Sequence, residues 1–277
     1  MKSDSLKPSD RTGISNLLMC EPTSYDLVYE INVWMRVTNK PDKRLALQQW
    51  NELFRVLQDE VGASISLIPQ QTNCPDMVFT ANAGIAIDDR VIISRFRNPE
   101  RRLEEPFFSD WFNERQYKVE TLPNDAVFEG EGDALFVGDT LVAGYLKRSE
   151  ISSHRKLAEM LGCRVLSLEL VDDRWYHLDT CFLPLDEHTV VYYPGAFDSY
   201  GRRVINENFH AIPIELDEAL HFACNSVVIG NHIVMPSGCP NTAWILRDRG
   251  REVHPVPMTE FIKSGGACKC LTLYLPK

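Results

Sequence analysis

The pattern of apolar and polar positions repeats along the chain. MVFTANAGIAIDDRVIISRF, AVFEGEGDALFVGDTLVAGY, HLDTCFLPLDEHTVVYYP and ACNSVVIGNHIVMPSG share one form: an apolar run, a tight polar turn and a second apolar run. Each predicts a β-hairpin. The turns centre near residues 88, 138, 187 and 230, so successive units lie roughly 43–50 residues apart. Between the hairpins, PERRLEEPFFSDWFNERQ, SEISSHRKLAEMLG, SYGRRVINENFH and NTAWILRDRG place apolar residues every three or four positions, the helical period. Gly162 and Gly250 stand where helix C-caps belong. A short strand-like run follows each helix: YKVETL, CRVLSLEL, AIPIEL and REVHPVPM. The predicted unit is hairpin, helix, strand.

A fifth unit is predicted from distant segments. CLTLYL pairs with NLLMC (16–20), and PDKRLALQQWNELFRVLQDEVG supplies a helix. Its apolar face carries Leu47, Trp50, Leu53, Phe54, Leu57 and Val61, and ISLIPQ is the third strand. Five units joined in this way close a ring with no exposed sheet edge. Residues 1–277 are expected to form a single domain, with residues 1–10 patternless and flexible. Cys268 and Cys270 are expected to begin the inner strand of the fifth unit.

Polar residues interrupt the inner strands at corresponding places. They are Asp76 and Asn82 in the first unit and Glu129, Glu131 and Asp133 in the second. His177 and Asp179 follow in the third, Asn225 in the fourth and Cys270 in the fifth. Any one is ordinary in isolation. Buried unpaired charge is costly, so one polar group per repeat points to a shared cavity. A cysteine, a histidine and several acids in one cavity are the parts of a thiol-nucleophile enzyme.

Composition narrows the partners. The 277 residues are 44% hydrophobic and 25% charged, with a net charge of -10. That balance argues against nucleic acid or an anionic membrane as the main partner. No apolar stretch approaches the roughly 20 residues that span a bilayer, and MKSDSLKPSDRTGISN has no apolar signal core. A cytoplasmic protein is expected. The eight cysteines are scattered through apolar runs and are expected to be reduced. The absence of any C-x-x-C pair argues against a zinc site. Neither a metal nor a cofactor is expected.

At these residues the chain resembles the guanidino-group modifying superfamily, the pentein enzymes. MCEPTSYDLVYEINVWM, PDMVFTANAG, FEGEGDAL, HLDTCF and GGACKCLTL carry the resemblance in order. It implies an α/β fold: a five-bladed propeller of ββαβ repeats with pseudo-fivefold symmetry around a central active site. The family nucleophile sits in a C-[LMIV]-[ST] context after Gly-Gly, which here is Cys270 rather than Cys268. The resemblance implies that Asp76 and Asp179 hold a substrate guanidinium while Cys270 attacks its central carbon. His177 is implied as general acid and base, oriented by Glu129 or alternatively by Glu131. Phe79 and Asn82, from F-T-A-N, are implied to line the substrate pocket. Asn32, from YEINVWM, resembles a residue that contacts the amino-acid end of the substrate. Arg95 and Arg148 are candidates to hold the substrate carboxylate, or are ordinary ion-pair partners.

F-T-A-N together with H-L-D looks most like the arginine dihydrolases, which yield ornithine, carbon dioxide and two ammonia. Deiminases carry an acid where this chain has Asn82. A neutral amide can donate to the urea oxygen of citrulline, which a carboxylate repels. Amidinotransferase, a deiminase or dimethylarginine hydrolase stopping at citrulline, and an inactive ligand-binding propeller are the alternatives. The expected partner is a small guanidino molecule, and homo-oligomer formation is left open.

Overall fold

In the computed structural model, which describes residues 15–123 and 126–276, the strands form five separate three-stranded sheets. Four follow one plan. The first has Gly84–Ile87 antiparallel to Arg90–Ile93, which is parallel in turn to Lys118–Thr121. The second uses Ala134–Val137, Thr140–Tyr145 and Arg164–Glu169. Phe182–Pro184, Thr189–Tyr192 and His210–Pro213 make the third. Val227–Ile229, His232–Pro236 and Glu252–Val256 make the fourth.

The fifth sheet draws on distant segments, as the pattern predicts. Asn16–Met19 is its middle strand, antiparallel to Leu273–Leu275 and parallel to Ser64–Leu67. Asn16 faces Leu275 and Leu18 faces Leu273 across the ladder. Middle strands are covered on both faces, which explains their unbroken apolar runs. Leu17 and Leu18 are fully buried on opposite faces. Leu17 joins a core with Val227 and Val234 of the fourth sheet. Leu18 joins one with Val91 and Ile93 of the first. The fifth unit thus bridges the first and fourth.

Helices cover the outer sides. Lys43–Arg55, Glu105–Glu114, Ile151–Leu161, Ser199–Asn208 and Pro240–Asp248 occupy the predicted intervals. Gly162 caps its helix in the left-handed region at φ 63°, where a Cβ is strained. Two details differ from expectation. The run from residue 99 divides into Pro99–Arg102 and Glu105–Glu114. In the Lys43–Arg55 helix, Leu47 is exposed, and Ala46 and Gln49 complete the buried face with Trp50 and Leu53.

The larger correction concerns the polar residues. They do not lie within the inner strands but in tight turns that deliver the chain to them. Asp76 lies in the 3-10 turn Pro75–Val78, Asn82 in Thr80–Ala83 and Asp179 in Leu178–Thr180. Glu129 and Asp133 flank Gly130–Gly132, which contains Glu131. Cys268 and Cys270 belong to a turn, and the strand begins only at Leu273. Backbone bonds from Phe79 N–H to Asp76 O (2.9 Å), Cys181 N–H to Leu178 O (3.0 Å) and Thr272 N–H to Lys269 O (3.0 Å) close these turns. Three residues per turn replaces strand alternation, so residues two apart no longer share a direction.

The two-segment sheet makes a direct prediction. Removing residues 1–20 would strip the middle strand from between two neighbours and expose the faces of Leu17 and Leu18. Such a truncation is expected to lose cooperative thermal unfolding by circular dichroism. A sharp melt within a few degrees of the full chain would refute the strand's structural role.

Candidate active site

The turns converge on Cys270, which is 2% exposed. Its thiol donates to Asp179 Oδ2 at 3.4 Å and accepts from Asn225 Nδ2 at 3.1 Å. Asn225 also holds the turn itself. Its Oδ1 accepts the backbone N–H groups of Ala267 (2.9 Å) and Cys270 (3.1 Å), while Nδ2 donates to Asp179 O at 3.1 Å. Cys268, two residues away, is fully buried in the same apolar cluster.

The three acids of F-E-G-E-G-D take three different partners. Glu129 Oε2 lies 2.7 Å from His177 Nε2 and 3.1 Å from Arg148 Nη1. Its Oε1 accepts the Arg97 backbone N–H at 3.0 Å. Glu131 turns the other way and pairs with the buried Lys269 Nζ at 2.9 Å. Asp133 ties the His177 segment in place, accepting Leu178 N–H at 3.1 Å and the Ser149 hydroxyl at 2.6 Å. Of the two glutamates considered, Glu129 touches the imidazole.

Asp76 and Asp179 are buried at 2% and 0% exposure. Asp76 Oδ2 accepts from the Tyr29 hydroxyl at 3.0 Å, but its Oδ1 has no protein partner. Asp179 Oδ1 likewise has none. Two dry carboxylate oxygens left open in this way call for a donor-rich, cationic ligand.

Asn82 lies beside them with its amide polarity determined. Its Oδ1 accepts Arg101 Nη1 at 2.7 Å, and its Nδ2 donates to Glu129 O at 3.3 Å. Arg101 has donors only, so it must face the oxygen and leave the NH2 toward the Glu129 carbonyl. Glu104 holds Arg101 through two bonds of 2.9 and 2.8 Å. A Cβ at Gly132 would collide with Asn82 Nδ2 and crowd the His177 ring at 3.3 Å, so only glycine fits between these two side chains.

Burial shapes the electrostatics. It raises the Asp76 carboxyl above its ordinary range, with Arg101 opposing the rise. It pushes Asp179 up to about 7 although Lys269 pulls the other way. The Cys270 thiol is raised well above a free thiol by burial and then by Asp179. Burial would raise Glu129 as well, but Arg148 and His177 outweigh it and hold that carboxyl well below the usual range. The centre combines a fixed anion on the imidazole with a neutral thiol.

Asn32, Arg148 and Tyr176 line a cavity of about 370 Å³ next to this centre. Arg148 stacks over Tyr176 with its guanidinium carbon 4.7 Å from the ring centre and donates to Ile31 O at 3.0 Å. Asn32 organises the rim, accepting Trp34 N–H at 2.9 Å and donating to Ser264 O at 3.0 Å. Phe79 packs edge-on to Tyr25 with centroids 5.9 Å apart and lies against Gly266 in the Cys270 turn. The Arg95 backbone bridges Phe128, the neighbour of Glu129, through bonds of 2.8 and 3.1 Å. Arg101, Glu104, Lys269 and Tyr29 were not legible as site residues. The only signal was Arg101 three residues before Glu104 in a helical run, which ordinarily means a solvated pair.

The chain is similar to known proteins over nearly its whole length. The family described as "N,N dimethylarginine dimethylhydrolase, eukaryotic" matches residues 23–276. The bifunctional arginine dihydrolase/ornithine cyclodeaminase AgrE of a Nostoc species is 45% identical over 95% of this chain, which spans 38% of that protein. The N(G),N(G)-dimethylarginine dimethylaminohydrolase of Mycobacterium tuberculosis is 39% identical over 92% of this chain and 84% of its own length. A solved structure of the N-terminal domain of ArgZ, covalently bound to a reaction intermediate, superposes with a TM-score of 0.91 at 42% identity. That match covers 95% of this chain and 98% of that domain. The chain belongs to the dimethylarginine dimethylaminohydrolase family, within the guanidino-group modifying superfamily and its arginine dihydrolase branch.

Proposed function

We propose that the chain is an arginine dihydrolase, converting arginine and two waters to ornithine, carbon dioxide and two ammonia. The observation that carries this reading is the pair of unpartnered carboxylate oxygens, Asp76 Oδ1 and Asp179 Oδ1, buried around Cys270. A guanidinium is planar, cationic and rich in N–H donors, so it satisfies both. Its positive charge also draws the Cys270 proton off, because a neighbouring cation favours thiolate. The thiolate forms an S–C bond to the guanidinium carbon, and His177 gives a proton to the departing ammonia. Water activated by His177 then displaces sulfur and leaves citrulline. Glu129 keeps the imidazole oriented and stabilises its charged form.

Asn82 supports the second hydrolysis. Its oriented NH2 can donate to the urea oxygen of citrulline, so the intermediate stays for another round. That round releases the second ammonia and leaves a carbamate, which falls apart to ornithine and carbon dioxide. The solved ArgZ domain, named as an arginine dihydrolase and recorded with product and with substrate, supports the same reading. Arg148 and Asn32 at the cavity suit the amino-acid end of the substrate. Among the described residues no helix is long and apolar enough to cross a membrane. Eight free cysteines fit a reducing, cytoplasmic setting.

Counting ammonia per arginine consumed tests the stoichiometry, with two expected. Asn82→Asp is expected to accumulate citrulline. An unfavourable contact of about 1–3 kcal/mol would cut citrulline use by roughly 10–100-fold. Citrulline as sole product of the wild type, or ornithine as sole product of the variant, would overturn the assignment.

The raised thiol predicts selective labelling. An uncharged haloacetamide should modify Cys270 slowly at neutral pH, and a cationic haloacetamidine much faster. Peptide mass spectrometry locates the label. Fast neutral alkylation of Cys270, or a label on Cys268 alone, would contradict the charge-assisted thiolate.

Asp179 must be ionised to hold a cation, and its carboxyl titrates at about 7, so protonation on lowering the pH through that value removes the anion. Arginine affinity for the Cys270→Ser variant should fall by about tenfold per pH unit below that point. Calorimetric affinity that stays level down to about pH 5 would show that no raised carboxyl is required.

A further inference from the structure

A second cluster of donor groups lies on the fourth sheet, away from the polar centre. His232 and Glu252 are direct partners across its parallel middle and third strands, and His254 is two residues beyond Glu252. Strand alternation puts all three side chains on one face. His232 Nδ1 and His254 Nε2 are 3.1 Å apart, and Glu252 Oε2 is 3.5 Å from His232 Nδ1. Ligand atoms of the three residues all fall within 4.8 Å of one another. Two nitrogens at about 2.0–2.1 Å from a tetrahedral zinc ion stand about 3.3 Å apart. The imidazoles are therefore close to the required spacing before any ion enters.

A fourth residue gives the independent indication. Glu60, from the fifth unit, places Oε2 3.0 Å from His254 Nδ1. Arg55 holds the other Glu60 oxygen at 2.9 Å. With Nδ1 of His254 turned to Glu60, its Nε2 is the ring nitrogen that faces His232. A carboxylate on the far nitrogen of a histidine is the arrangement that orients metal-bound imidazoles. His232 and His254 have side-chain exposures of 28% and 19%, so an ion can reach the site from solvent.

We propose that His232, Glu252 and His254 form a binding site for a borderline divalent transition-metal ion such as Zn2+, with Glu60 as the positioning carboxylate. Two imidazoles and a carboxylate are a zinc-type donor set, and the partial exposure leaves a further position for water. The site is separate from Cys270 and asks nothing of the hydrolysis. Because Glu60 comes from the fifth unit and the ligands from the fourth, ion binding would strengthen the seam between those units.

The test uses the full chain with Cys270→Ser, so that the central thiol does not compete for metal. Zn2+ affinity is measured against a chelating indicator, and Cu2+ is followed by electron paramagnetic resonance. One ion per chain is expected, with nitrogen hyperfine structure in the copper spectrum. His232→Ala with His254→Ala should abolish that site while circular dichroism confirms an unchanged fold. Glu60→Gln, which keeps all three ligands, should weaken Zn2+ by roughly 10–100-fold. Equal stoichiometry and affinity in the parent and the double-alanine chain, or a copper spectrum without nitrogen coupling, would overturn the proposal. An unchanged affinity in Glu60→Gln would remove Glu60 from it.

Discussion

Negative charge held in a dry centre beside a neutral thiol is the constraint on which the rest depends. Removing a carboxylate from water costs several kcal/mol unless partners repay it. Glu129 is repaid by Arg148, His177 and a backbone N–H. Asp76 and Asp179 are repaid only in part, since each keeps one oxygen without a partner. The surrounding fold must therefore be stable enough to carry two incompletely satisfied acids. Middle strands buried on both faces and a fifth sheet packed between two units provide that support.

This arrangement also explains why the polar groups sit in turns. A strand would send Glu129, Glu131 and Asp133 to one side together. The turn sends them to an imidazole, an ammonium and a hydroxyl respectively. Three like charges that would repel in one pocket are distributed among three separate tasks.

Unit count, strand pairing and helix intervals were legible because apolar periodicity follows directly from burial. The split sheet followed from the same pattern, since NLLMC and CLTLYL lacked partners nearby. What periodicity could not supply was direction within a turn. In the sequence only resemblance distinguishes Cys270 from Cys268, whereas in the structure the Cys270 thiol meets Asn225 and Asp179. Arg101 and Glu104 were unreadable for another reason. Charged residues in a helical run ordinarily face water, and only packing against the Asp76 and Asn82 turns buries this pair. The proximity of His232 to Glu252 and His254 is a property of strand register and leaves no mark in spacing along the chain.

The grip of Arg101 on Asn82 bears on how such a protein changes over generations. A guanidinium that accepts no hydrogen bond welcomes a carboxylate oxygen as readily as an amide oxygen. Exchanging Asn82 for Asp would leave that contact intact and keep the side-chain volume nearly the same. The scaffold thus presents no steric barrier between the two residues, and their codons differ by one base. On the role proposed for Asn82, enzymes that release one ammonia and enzymes that release two are immediate neighbours in sequence space. Selection on nitrogen economy could move a lineage between them without rebuilding the fold.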